Sequence, residues 1–254
     1  MKNNMNLLKN KALKIILPTV LILLIWETAF LLTDNTYFIP SIKETLSSLV
    51  KILISRSFFR IVLTSVFRVL AGLFLGLILG ITAATLCHYH EIMNVLLSPI
   101  ISIMKATPVA CIVVLLWISM TYTQLTVFVV MLMVVPIVWQ NVLDGFRAID
   151  KDLIEVSEIF RLDLKTKLRV LIVPTLMKYI SPALVTSVGL SWKAEIAAEI
   201  MTNSNMGRLI YNYKNVTFDT ASIFAWTIII VLFSIALEKI TKLLLRRLTN
   251  NAEN

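Results

Sequence analysis

Apolar runs of about twenty residues recur along this chain, and that is the length an α-helix needs to cross about 30 Å of hydrocarbon. Lipid offers no partner to a bare N–H or C=O, so such runs must fold as helices that satisfy their own backbone. Six are readable, at about 15–32, 61–87, 95–120, 125–146, 179–201 and 222–245. The third is the least regular, because Pro99, Lys105 and Pro108 interrupt it. The first follows Lys9, Lys11 and Lys14 as a signal peptide would. It is longer than a usual signal core, and Thr33-Asp34-Asn35 is no small-residue cleavage site, so it is read as a retained anchor. Only 15% of the 254 residues are charged and 58% are hydrophobic, whereas a soluble domain carries about 25% charged residues. The expected fold is all-α: one polytopic transmembrane domain over residues 1–254 with about six spans.

Lysine and arginine set the orientation. With the N-terminus inside, the inner segments hold fifteen of the 24: Lys2, Lys9, Lys11 and Lys14, then Arg147, Lys151, Arg161, Lys165, Lys167, Arg169 and Lys178, then Lys239, Lys242, Arg246 and Arg247. The outer segments hold six: Lys43, Lys51, Arg56, Arg60, Arg208 and Lys214. Both termini are therefore expected on the cytoplasmic side of a cell membrane. The net charge of +9 is accounted for by this asymmetry and by anionic lipid, with no need for nucleic acid.

The polar stretch from Asp152 to Pro174 interrupts the apolar pattern and has helical periodicity of its own. Leu153, Val156 and Phe160 form one stripe; Leu164, Leu168, Leu171 and Ile172 form a second. Arg161-Leu162-Asp163 reads as a corner, with Asp163 placed to cap the second helix. A cytoplasmic helix pair of this kind, over about 150–175, is a docking surface for a soluble partner. Between the first two spans, Tyr37-Phe38-Ile39-Pro40-Ser41 ends an extended segment, and Ser41 can cap a helix through Leu46, Leu49, Val50 and Leu53 that lies along the outer surface of the bilayer.

Catalytic chemistry is not legible. There is no Ser-His-Asp set, P-loop or G-x-G-x-x-G, and Cys87, Cys111, His88 and His90 make no metal pattern. Neither a cofactor nor an enzymatic activity is expected.

Several motifs resemble one family. Glu155-Val156-Ser157, Arg161 and Leu171-Ile172-Val173-Pro174 resemble the ATPase-binding loop of binding-protein-dependent ABC importers, with Arg161 standing where the family has glycine and Val156 where it has alanine. Glycine there would allow a positive φ that arginine adopts poorly. Trp26-Glu27, Phe38-Ile39-Pro40-Ser41, Thr64-Ser65 with Arg68, the Gly72/Gly76/Gly80 stripe, Lys105-Ala106-Thr107-Pro108, Gly189-Leu190-Ser191-Trp192, Ala197-Ala198-Glu199 and Met206-Gly207 are similar, in order and spacing, to permeases of its nitrate/sulfonate/taurine type. The resemblance implies a non-catalytic permease subunit, working as a dimer with cytoplasmic ATPase subunits and an extracytoplasmic substrate-binding protein. Its solute would be a small anion. A pyrimidine-type vitamin precursor is the alternative within the family, and an ion-coupled secondary transporter is the alternative outside it, although no internal repeat is visible.

Individual residues keep two readings. The glycine stripe suits close helix packing, inside the subunit or between subunits. Thr107-Pro108 loosens a helix at mid-span, either as a packing kink or to turn a carbonyl toward a path. Charges inside spans cost several kcal/mol unless they meet water or a partner. Lys193 lies roughly 20 Å past the inner end of its span at 1.5 Å per residue. Glu195 and Glu199 share a helix face that Lys193 does not, and they should meet a watery path or a cation such as Lys105 or Arg68. For Glu199 the other reading is a side chain reaching to the outer interface, and for Lys193 a structural ion pair. Glu27 and Arg68 are read as structural. The path candidates are Lys105, Thr107, Pro108, Lys193, Glu195 and Glu199.

Overall fold

The structure, a computed structural model, describes residues 13–33 and 35–252. Lys2, Lys9, Lys11 and Asp34 lie outside the described residues, as do the two chain ends whose side of the membrane the charge pattern assigns. Regular structure among the described residues is entirely helical: α1 Leu13–Thr33, α2 Ile42–Ile54, α3 Phe58–Tyr89, α4 Glu91–Ala106, α5 Val109–Trp117, α6 Tyr122–Arg147, α7 Lys151–Ile159, α8 Leu164–Lys167, a π-helical segment Leu168–Ile172, α9 Val173–Met201, α10 Asn205–Asn215 and α11 Thr220–Ala252. Two compact units result. One joins residues up to Phe58 with Leu209–Ile230; the other joins Phe59–Arg208 with residues from Val231 on.

Among the described residues five helices are long and apolar enough to cross a membrane: Ile16–Thr33, Phe58–Tyr89, Tyr122–Arg147, Leu164–Met201 and Thr220–Arg247. The third expected span is not one helix. α4 and α5 meet at 96°, because Pro108 pushes the residue before it out of the α region. Thr107 takes φ −77°, ψ 123°, and Pro108 itself takes ψ 134°. The expected kink is therefore a full break.

A second correction concerns the fifth span. The sequence places it at about 179–201, whereas the helical run is continuous from Leu164 to Met201. Pro174 has no N–H to give and its ring crowds the carbonyl four residues back. The π segment before it takes up the mismatch: the Val173 N–H reaches the Leu168 carbonyl, five residues back.

In the second unit α6 is the spine. Leu125, Val129, Val130, Val134, Val138 and Val142 are all essentially inaccessible, and α9 packs along it. On another side of α6 lies α3. A Cβ on Gly72 or Gly76 would stand 2.6 Å from the Cβ of Val130 or Val134, and one on Gly80 would stand 2.8 Å from that of Val138. The stripe thus packs inside the subunit, which decides between its two readings.

The first unit shows why Trp26-Glu27 and Pro40-Ser41 occur together. Trp26 Nε1 donates to the Pro40 carbonyl at 3.0 Å, and a Glu27 carboxylate oxygen accepts from the Ile42 amide at 3.4 Å, the structural role expected of Glu27. Ser41 caps α2 with a complete capping box: its hydroxyl accepts from the Glu44 amide, and the Glu44 carboxylate accepts from the Ser41 amide. Leu46, Val50 and Leu53 remain exposed along α2.

Candidate functional site

The island folds as the helix–turn–helix its stripes predict. α7 ends in a Schellman motif: the Arg161 amide donates to the Glu158 carbonyl and the Leu162 amide to the Ser157 carbonyl, both at 3.0 Å. The motif needs a left-handed residue, and Arg161 supplies it at φ 51°. Arginine thus adopts the conformation that glycine would take more cheaply. Asp163 occupies the N-cap position of α8 at φ −64°, ψ 155°. It makes no close capping bond, yet hydrogen bonding with the Thr166 side chain holds its carboxyl below the usual carboxylate range. Ser157 is buried, with its hydroxyl 2.6 Å from the Ile154 carbonyl. Glu155 and Val156 are exposed, and so are Leu153, Ile159, Phe160 and Leu164. Pro174 opens α9.

At the α4–α5 break Lys105 occupies the last turn of α4. Its ammonium donates to Gln140 Oε1 at 3.1 Å and stands 5.7 Å over the Trp139 ring. Gln140 in turn donates to both carboxylate oxygens of Asp144 at 3.2 Å, and Asp144 lies 3.5 Å from Arg147. A polar ribbon therefore runs from the break along the last two turns of α6, from Gln140 to Arg147. Lys105 is exposed.

Glu195 and Glu199 do not reach the interface: both are fully buried. The cation they meet is Arg68 on α3, at 3.9 Å and 3.2 Å. Glu199 is saturated. One carboxylate oxygen accepts from Ser65 Oγ at 2.7 Å, Arg68 Nη1 at 3.2 Å and Asn205 Nδ2 at 3.0 Å, and the other from the Met206 amide at 3.1 Å. Arg68 also donates to Thr123 on α6 at 3.1 Å. Neither oxygen of Glu195 has a hydrogen-bond partner among the described residues. The turn after α9 is built to close this cluster. Asn203 and Asn205 take φ of 50° and 43°, and any Cβ on Gly207 would collide with the Glu199 carbonyl. Asn tolerates the left-handed region better than most residues.

Lys193 points away from the cluster and is exposed, with no ion pair among the described residues. A charged group missed at the sequence level lies on the same face of α9. Four residues back from Lys193, Gly189 faces Glu238 of α11, whose carboxylate rests where a side chain would be. The available signal was a lone carboxylate midway along an apolar run. Elsewhere, His88 stacks on Phe146 at 4.3 Å. Trp139 donates to Cys87 Sγ at 3.4 Å.

Residues 76–250 match the family described as "Binding-protein-dependent transport system inner membrane component". The chain belongs to this family. It is a membrane-embedded transport component rather than an enzyme. Its relatives include the bicarbonate transport system permease protein CmpB of Synechococcus elongatus, 27% identical over 146 residues. That alignment covers 57% of this chain but only 52% of the relative, so this chain spans about half the length of the bicarbonate permease. The putative ABC transporter permease protein MJ0413 of Methanocaldococcus jannaschii is 25% identical over 248 residues, 91% of this chain and 88% of the relative. The putative aliphatic sulfonates transport permease protein SsuC of Bacillus subtilis is 23% identical over 238 residues, covering 92% and 85%. A crystal structure of an amino acid ABC transporter with histidines superposes with TM-score 0.61 at 17% identity, over 73% of this chain and 91% of that one. This likeness concerns the fold.

Proposed function

We propose that this permease-family chain is the membrane subunit of an ATP-driven importer for a small anion. Two copies would enclose a path, and cytoplasmic ATPase subunits would grip the 150–175 segments. An extracytoplasmic binding protein would deliver the solute, and ATP-driven closure of the ATPases would expose the path to each side in turn. The observation that carries the reading is the island itself. A short helix shows apolar Val156, Ile159 and Phe160 to solvent, and its acidic Glu155, two residues before the buried Ser157, is exposed beside them. Exposed apolar side chains on a polar segment outside the spans mark a protein contact. The anion assignment draws support from relatives named for bicarbonate and sulfonates and from Lys105 and Lys193, two exposed cations inside apolar spans.

The deciding experiment is Glu155→Lys in the assembled complex. The variant should insert normally, lose ATPase co-purification and abolish ATP-dependent uptake. Full ATPase retention with undiminished uptake would overturn the coupling role. Uptake by the purified chain alone, without ATP, would favour a secondary transporter. Cysteines at Lys165 and Asn215 check the orientation, since they should label from inside and outside respectively.

A further inference from the structure

α9 and α11 run antiparallel in the second unit, with Gly189 against Glu238 and Trp192 stacked on Phe233 at 5.9 Å. Toward the end of both helices that borders the island, a groove of about 220 Å³ lies between them, lined by Ser181, Pro182, Val185, Lys242, Leu245 and Arg246. Three observations bear on its occupant. Its walls are largely aliphatic. Lys242 and Arg246 are four residues apart, and so share one face of α11 where its apolar span ends at Arg247. The Ser181 hydroxyl oxygen is buried and has no hydrogen-bond partner among the described residues.

An unpaired buried hydroxyl costs free energy until something accepts from it or donates to it. An aliphatic trough does nothing for a free inorganic anion, and two cations do nothing for a neutral acyl chain. Both features suit one amphiphile. We propose that this groove binds a single anionic phospholipid of the leaflet that borders the 150–175 segment. An acyl chain lies along Pro182, Val185 and Leu245, and the phosphate accepts from Lys242, Arg246 and the Ser181 hydroxyl. Lys178, four residues before Pro182 on the same face of α9, adds positive charge at the headgroup level. The nearest acid on α11, Glu238, is one turn away and faces Gly189. A second copy of the chain is a poor occupant, because a symmetric contact would bring two such cation pairs together.

The test uses the full chain purified in mild detergent and examined by native mass spectrometry with phosphatidylglycerol or phosphatidylcholine. Wild type should retain one phosphatidylglycerol in preference to phosphatidylcholine. Lys242→Gln with Arg246→Gln should weaken that retention by about thirtyfold, as expected for two cations at a membrane surface. Both side chains are exposed, so folding should survive, and thermal unfolding checks it. Val185→Trp fills the trough with the charges intact and should also displace the lipid. Equal retention of the two lipids would overturn the proposal. So would unchanged binding in the charge variant, stabilisation by millimolar phosphate equal to that by the lipid, or copy-to-copy cross-linking through Val185→Cys.

Discussion

Arg68 Nη1 lies 3.2 Å from Glu199 Oε1, tying α3 to α9 inside the apolar core of the second unit. Arg68 is 13% exposed and Glu199 is not exposed at all. Removing one member of a buried pair leaves the other charge uncompensated, which costs about 3–5 kcal/mol. Glu199→Ala should therefore reduce the yield of folded protein and lower the midpoint of thermal unfolding steeply. Glu195→Ala should be milder, because Glu195 makes no hydrogen bond and stands farther from Arg68. Equal effects would mean that the guanidinium serves both carboxylates alike.

Arg161 is left-handed, and the left-handed region costs an L-residue roughly 1–2 kcal/mol that glycine does not bear. Arg161→Gly should keep the Schellman turn and stabilise it by up to about 1 kcal/mol, less than the full strain because glycine loses more entropy on folding. Arg161→Val should destabilise the corner, since a branched Cβ fits φ 51° worst. Differential unfolding and ATPase co-purification read both. If the glycine variant loses the ATPase while keeping its fold, the arginine side chain itself makes the contact.

Gly76 has no room for a side chain. Gly76→Ala should cost about 1–3 kcal/mol through overpacking against Val134, and Val134→Ala in the same chain should recover part of it. The readout is folded, monodisperse protein. Intact subunits that fail only to dimerise would assign the glycine stripe to an interface between copies.

The spans, the island and the Ser41 cap were legible because each rests on a local rule: a run of apolar residues, a helical stripe, a hydroxyl three residues before Glu44. What the sequence left open depends on contacts between distant residues. Gly72, Gly76 and Gly80 announce a close approach without naming Val130, Val134 and Val138 as its target. Glu195 and Glu199 announce a need for a cation, but choosing Arg68 over Lys105 requires knowing that α3 and α9 are neighbours around α6. Pro108 and Pro174 look alike in sequence, yet one breaks its helix by 96° and the other is absorbed by five π-helical residues. Glu238 acquires a meaning only once α11 lies against Gly189.

Lys105 and Lys193 remain as charges inside apolar spans that are exposed on the single subunit. Facing lipid, each would cost several kcal/mol, so each must face water or a partner. Lys105 leans on Gln140 at the helix break, and Lys193 stands one turn beyond the Gly189–Glu238 contact. An anion passing about 8 Å from either ammonium, at an effective dielectric constant of about 20, gains roughly 2 kcal/mol, or about thirtyfold in occupancy. Lys193→Met and Lys105→Met should therefore each reduce anion uptake by about that factor, while assembly with the ATPase and basal ATP hydrolysis persist. Uptake assays in proteoliposomes, run beside ATPase assays on the same preparation, separate the outcomes. Loss of assembly would make the lysine a structural partner, and undiminished uptake would remove it from the path.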